Sequence, residues 1–300
     1  MINTLSSLHP RFITGFTDGE GCFHISITKR KTVKLQWIVI LVFKITLHQR
    51  DKALLERIKS YFCDVGSIYK NGPQTIEYKV HSIKDLLIII EHFDKYPLIT
   101  KKQIDYLLFK QVFNLINEKE HLTIEGLQKI IAIKSSINRG LSDKLKAAFP
   151  KIKEVERPSV LNLEIIDPNW LAGFVSGEGS FLIDIYKSKT IIGMGVTLRF
   201  YLSQHSRDEL LMKSLVSYFG CGHYKPRNNR DFGEFVITKL EDLIEKVIPL
   251  FQKYQILGIK HLDFLDFVKV AEIMKEKGHL TERGLDQVIK IKAGMNKGRS

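Results

Sequence analysis

The sequence predicts an α+β protein made of two copies of one unit, and three observations carry that prediction. First, "ITGFTDGEGCFHISI" from Ile13 is answered by "LAGFVSGEGSFLIDI" from Leu171, which places Glu20 and Glu178 158 residues apart. Second, the same spacing relates "EKEHLTIEGL" from Glu118 to "EKGHLTERGL" from Glu276, and "SYFCDVGSIYK" from Ser60 answers "SYFGCGHYK" from Ser217. Third, each half alternates period-two stretches with helical ones in the same order, which suits an antiparallel sheet with helices on one face. The period is too long for a solenoid and fits two pseudo-symmetric α-β-β-α-β-β-α-α units. The domains are 1–141, a linker over 142–166, and 167–300.

Each unit opens with a short helix whose Pro10 or Pro168 sits near the N-terminus, where a missing N–H costs nothing. Asp167 is placed to cap the second copy. A strand follows. Phe23, Ile25 and Ile27 alternate with His24, Ser26, Thr28 and Arg30, and Phe181, Ile183 and Ile185 alternate with Ser180, Asp184 and Tyr186. The second strands are "LQWIVILVFKITLH" and "GMGVTLRFYLSQH", followed by helices over about Asp51–Phe62 and Asp208–Phe219. Asn71-Gly72 marks a hairpin in the first copy. Helices near Lys84–Phe93, Lys101–Glu118 and Thr123–Asn138 complete that unit, with Thr123 and Thr281 as N-caps.

The sheet face turned away from the helices carries His24, Ser26, Thr28, Arg30, Lys44, Thr46, Tyr69, Thr75, Glu77, Lys79 and His81 in the first copy. In the second it carries Ser180, Asp184, Tyr186, Thr197, Arg199, Tyr201, Ser203, His223, Lys225, Arg227 and Glu234. Such a mixture of forked donors, hydroxyls and a few acceptors suits base edges in a DNA major groove. The net charge of +13 points to the same polyanionic partner. "WIVILVF" from Trp37 is apolar at both parities, so Ile38, Ile40 and Val42 also fall on this face.

Other classes are excluded. No apolar run approaches the roughly 18 residues of a membrane-spanning helix, and "MINTLSSLHPRF" is not a secretory signal. Cys22, Cys63 and Cys221 form no C-x-x-C pair, which argues for a reducing compartment and against a disulfide framework or a thiolate zinc site.

The repeated joint carries the chemistry. Gly15 and Gly19, like Gly173 and Gly177, are four apart on one side of a helix, a spacing that lets two helix backbones approach closely. The two motif helices are therefore expected to pack on each other, with Gly21 and Gly179 supplying left-handed residues that stop them. That leaves Glu20 and Glu178 at adjacent helix C-termini, where the helix dipole repels a carboxylate. A salt bridge would satisfy one such acid. Two matched copies point instead to bound divalent cations, and oxygen-only ligands favour Mg²⁺, with the Gly19 and Gly177 carbonyls completing the shell. Two or more such ions could clamp a phosphodiester for in-line displacement.

"ITGFTDGEG" and "LAGFVSGEG" resemble the namesake motif of the LAGLIDADG homing endonucleases, and the likeness to the single-chain, two-repeat branch covers nearly the whole chain. The resemblance implies a monomer with a saddle of two sheets that cleaves double-stranded DNA at a long, non-palindromic site. It assigns catalysis and Mg²⁺ to Glu20 and Glu178 with Gly19 and Gly177, and leaves Lys79, Lys225 and Arg227 as candidates for phosphate contacts or transition-state charge. It also implies an intron-encoded protein of mitochondria or plastids. The sixth motif position is Asp18 in one copy and Ser176 in the other, which is tolerable if that position is structural. Two alternatives stay open: an RNA-binding intron maturase and a non-catalytic DNA-binding regulator. The two intact acids favour the nuclease.

Overall fold

The computed structural model describes residues 8–159, 167–227 and 230–299. It divides into two compact units, one made of Met1–Pro10 and Glu20–Asn162, the other of Arg11–Gly19 and Leu163–Ser300. Helix α1 (Pro10–Glu20), which opens the first repeat in sequence, thus has its middle packed within the second unit.

In the first unit, β1 (Gly21–Lys29), β2 (Trp37–His48), β3 (Ser67–Lys70) and β4 (Thr75–Val80) form an antiparallel sheet in the order β1-β2-β4-β3. Alternate residues of β1 are buried from Gly21 to Ile27, as the period-two pattern requires. The helices are α2 (Lys52–Tyr61), α3 (Ile83–Lys95), α4 (Lys102–Asn117) and α5 (Ile124–Ser135). One aromatic cluster ties sheet to helices. The Phe23 ring lies 5.3 Å from those of Phe43, Phe93 and Tyr106, and 5.4 Å from that of Phe109. Full burial of each such side chain stabilises by about 1.5–3 kcal/mol. The hairpin connection spans residues 71–74, with Gly72 at φ +127 and the Asn71 amide donating to the Thr75 carbonyl at 2.9 Å.

The second unit repeats the plan. Its sheet of β5 (Gly179–Lys187), β6 (Met194–His205), β7 (His223–Pro226) and β8 (Phe232–Ile237) runs β5-β6-β8-β7. After α7 (Pro168–Glu178) and α8 (Glu209–Phe219) come α9 (Leu240–Asp242), a π turn over Leu243–Val247, and α10 (Ile248–Lys253). Pro249 lacks the N–H that would continue the α ladder, which accounts for the wide turn before it. Helices α11 (Ile259–Lys275) and α12 (Glu282–Ala293) follow, and Phe181 sits at 5.2–5.3 Å from Phe200, Phe264 and Phe267.

The expected caps form: Thr123 accepts from the Gly126 amide at 3.0 Å, Thr281 from Gly284 at 3.1 Å, and Asp167 from Asn169 at 2.7 Å. The matching "INRG" and "MNKG" segments have a structural use. Asn138 and Asn296, both at φ 53, donate their side-chain amides to the carbonyls of Phe23 and Phe181 and so tie each repeat's end to its first strand. The linker stretch 142–159 contains α6 (Asp143–Ala148) and is packed on the first unit. Phe149 meets Trp37 at 5.5 Å between rings, and Arg157 pairs with Asp105 at 2.9 Å. The rest of the expected linker, 160–166, lies outside the described residues.

One expectation is corrected. Gly179 is extended (φ −69, ψ 153), and Gly21 likewise enters its strand without a positive φ. The chain passes straight from helix to strand, so no left-handed stop is needed. Gly179 is required for space instead: a Cβ there would lie 2.5 Å from Val175 Cγ1 and 2.7 Å from its carbonyl oxygen.

Candidate functional site

Within the second unit, residues Arg11–Gly19 of α1 lie against α7 at backbone contact. A Cβ on Gly15 would come 1.9 Å from the Trp170 carbonyl oxygen, and one on Gly173 would come 2.1 Å from that of Phe12. The glycine spacing read from the sequence therefore does what it predicts. Farther along, a Cβ on Gly19 would stand 3.2 Å from Glu178 Cγ and 3.5 Å from Gly177 Cα. The Trp170 indole donates to Asp18 at 2.8 Å, and Ser176 donates to the Ala172 carbonyl while accepting from the Leu257 amide. Both sixth-position residues are thus spent on packing, which is why Asp and Ser can differ there.

Lys260, in the first turn of α11, donates its ammonium to the Gly177 carbonyl at the end of α7. A helix's last carbonyls lack intrahelical partners and carry partial negative charge, so they draw cations. Lys260 was missed in the sequence, although the 158-residue offset pairs it with Lys102 just as it pairs Asp105 with Asp263. In the first unit Lys102 opens α4, and its charge acts on Cys22, two residues beyond Glu20. Burial nonetheless pushes the Cys22 thiol up, so it is not a reactive thiolate. All three cysteines are free.

Among the described residues, no three His, Cys, Asp or Glu side chains are gathered to hold a metal ion. Each motif helix ends on a Gly-Glu pair, Gly19-Glu20 and Gly177-Glu178, whose carbonyl and carboxylate oxygens are hard donors. The Gly177 carbonyl already faces a cation, the Lys260 ammonium. This set fits a hard divalent ion that keeps water or phosphate oxygens as its remaining ligands.

On the first sheet, register aligns His24 with Val42, Ser26 with Ile40, Thr28 with Ile38, Lys44 with Lys79, Thr46 with Glu77, and Tyr69 with Glu77, so all share one face. Thr75 lies on it opposite His48, while Arg30 and His81 fall just past the ends of β1 and β4. Ile40 is 41% exposed on this face, whereas Val42 is buried. His24 is pulled below its usual value by burial and then by the Lys134, Lys44 and Lys79 ammonium groups, which keeps it neutral at pH 7. Buried Lys134, missed in the sequence, donates to the Gly140 carbonyl at 2.9 Å, and burial lowers its own pKa. Glu77 is 4% exposed and accepts from four neighbouring side chains, Lys44, Thr46, Asn71 and Tyr69.

On the second sheet, Ser180 faces Tyr201, Asp184 faces Thr197, Ser203 and Lys225 face Glu234, and His223 faces Val236. Arg199 is bonded to Asp184, Thr197 to the Tyr186 hydroxyl, and Arg227 to Glu234. A cleft of about 540 Å³ is lined by Lys225, Pro226, Arg227, Arg230, Phe232 and Glu234; Arg230 was not singled out from the sequence.

A duplicated α+β chain with acid-tipped motif helices packed through glycines, and two polar sheet faces, defines a class. The family model described as LAGLIDADG endonuclease matches residues 13–113 and 171–271, and the chain belongs to this family. It is 43% identical over 299 residues to "Probable intron-encoded endonuclease 2" of Neurospora crassa, covering 96% of this chain and 65% of that protein. Over 121 residues it is 50% identical to an uncharacterized protein in ND4 intron 1 of Podospora anserina, covering 40% of this chain and 27% of that one. The chain therefore spans less than two thirds of either curated relative's length. Among solved structures, I-SmaMI bound to cleaved DNA superposes with a TM-score of 0.96 at 45% identity and 98% coverage of both chains. The same protein bound to uncleaved target with calcium ions gives 0.95 at 45% identity, covering 97% of this chain and 100% of that one. Among the described residues, no helix is long and apolar enough to cross a membrane.

Proposed function

We propose that the chain is a site-specific endonuclease that hydrolyses double-stranded DNA with Mg²⁺ and acts as a monomer. The observation that carries this reading is the backbone contact of α1 with α7, which sets Gly19 against Glu178 with Glu20 as the next residue in the chain. Glu20 and Glu178, with the Gly19 and Gly177 carbonyls, would hold the metal. When bound, Mg²⁺ neutralises the phosphodiester and lowers the pKa of water that attacks it. The calcium complex of I-SmaMI supports divalent metal use.

The chain's own residues do the rest. Lys260, and Lys102 at the matching position, bring fixed positive charge beside the acids, where charge develops on the phosphate. The two sheet faces supply base contacts from His24, Ser26, Thr28, Arg30, Lys44, Thr46, Tyr69, Thr75 and His81, and from Ser180, Asp184, Tyr186, Thr197, Arg199, Tyr201, Ser203 and His223. Lys79, Lys225 and Arg227 take phosphates, with Glu234 holding Arg227 in place. Because the two faces carry different side chains, the target is non-palindromic. The ND4 intron relative supports a mitochondrial, intron-encoded origin.

Selection from a randomised duplex library with Mg²⁺ tests the reading. One long asymmetric cleaved site is the expected result. Tight binding of structured intron RNA without duplex cleavage would favour a maturase, and specific duplex binding without cleavage a regulator.

A further inference from the structure

A carboxylate in the middle of a face meant for a polyanion is electrostatically out of place, and Glu77 is such a group. It is 4% exposed at the centre of the first sheet's polar face. Lys44 Nζ and Thr46 Oγ1 donate to its Oε2 at 3.0 Å each, Asn71 Nδ2 donates to the same oxygen at 3.2 Å, and the Tyr69 hydroxyl donates to Oε1. These donors come from β2, β3 and the hairpin turn, so one carboxylate links three parts of the face. Burying a carboxylate is costly unless it is paired and bonded, and here three donors meet Oε2 and one meets Oε1. At 4% exposure and with four donors already on it, Glu77 is better placed to hold its neighbours than to read a cytosine amino group, the role expected of it from the sequence.

The geometry points to Glu77 as a positioning residue that fixes Lys44 and Tyr69 for reading one half of the target. An ammonium on a flexible four-carbon stem would otherwise settle on any nearby phosphate, a contact that carries no sequence information. Held by Glu77, Lys44 is neutralised and aimed, so its remaining donors bond only where a base presents an acceptor. Among the described residues, the matching acid of the second sheet, Glu234, accepts a side-chain bond from Arg227 only. The device belongs to the first sheet, and its loss should be felt in one half-site. This inference rests on the reading that the face contacts duplex DNA.

The test compares wild-type protein with Glu77→Gln by binding to half-site-randomised duplexes in Ca²⁺, without cleavage. The expected result is broadened base preference, about tenfold less discrimination at positions in one half-site (on the order of one good base contact), with the other half unchanged. Freed Lys44 should also steepen the dependence of log affinity on log salt by about one. A purely structural role would lower the melting temperature but leave the profile and the salt slope alone. Unchanged discrimination, or equal broadening in both halves, overturns the inference. If wild-type protein selects no duplex at all, the nuclease reading fails first. Should Glu77→Gln not fold, Asn71→Ala removes one tether while keeping the acid and both readers, and it must broaden the same half-site to a smaller extent.

Discussion

The indole N–H of Trp170 donates to the carboxylate of Asp18 at 2.8 Å, with both residues at most 3% exposed. The bond joins α1 to α7 across 152 residues of sequence and locks the helix pair whose ends carry the motif acids. Asp18→Ala leaves the indole N–H without its partner, a loss worth about 1–3 kcal/mol. Denaturant melts should register that destabilisation, and Asp18→Asn, which keeps an acceptor oxygen, should recover most of it. Equal losses in the two variants would mean that the bond is incidental.

The glycines of the helix pair make a sharper demand. Gly173→Ala would set a Cβ 2.1 Å from a backbone oxygen, which cannot swing aside as a side chain can. The helices must separate, at a cost of about 3 kcal/mol or more. Gly19→Ala has its nearest contact at Glu178 Cγ, 3.2 Å away on a flexible side chain, so it should fold nearly normally and lose mainly activity. Thermal melts set beside cleavage rates separate the two behaviours.

Stability should fall on the acid side through Glu77 and His24. Burial tends to raise the Glu77 pKa, but the bonds from Tyr69, Lys44 and Thr46 outweigh it and hold the carboxyl below 4.5. A depressed folded value means stability that is present above the unfolded pKa and lost as pH falls through the folded one. The melting gap between wild type and Glu77→Gln should therefore be widest near neutrality and close below pH 4.5. His24 acts earlier. Its pKa is pulled below 6.5, so the unfolded chain binds its proton first and stability declines as pH drops below 6.5. His24→Gln should flatten that part of the curve.

Lys260 belongs to the chemistry in this account. Lys260→Ala should slow single-turnover cleavage by about a hundredfold, the scale of one lost transition-state donor. Affinity for the uncleaved duplex in Ca²⁺ should change little. Lys102→Ala should behave alike, since the repeat places it equivalently. A loss confined to affinity would reassign both lysines to phosphate anchoring.

The duplication, both sheets, the caps and the glycine contact were legible because each has a local signature: a repeat offset, a period of two, a hydroxyl before a helix, glycines four apart. The faces of His24, Lys44 and Arg199 followed from parity alone. What stayed hidden depends on contacts distant in sequence. Lys260 declares itself only when α11 delivers it to the Gly177 carbonyl. Glu77 reads as one polar residue of an alternating strand until four donors converge on it. Gly179 looked like a helix stop, yet its use is the space beside Val175, which no dipeptide signal encodes.

Glu20 and Glu178 are expected to act together on one phosphodiester chemistry. The most direct measurement is cleavage of the selected duplex in Mg²⁺ by Glu20→Gln and by Glu178→Gln, with duplex affinity in Ca²⁺ measured alongside. Each variant alone should lose strand cleavage by about a hundredfold to a thousandfold, the scale for removing one group that stabilises transition-state charge, while still recognising the site. Full cleavage by either variant would contradict it.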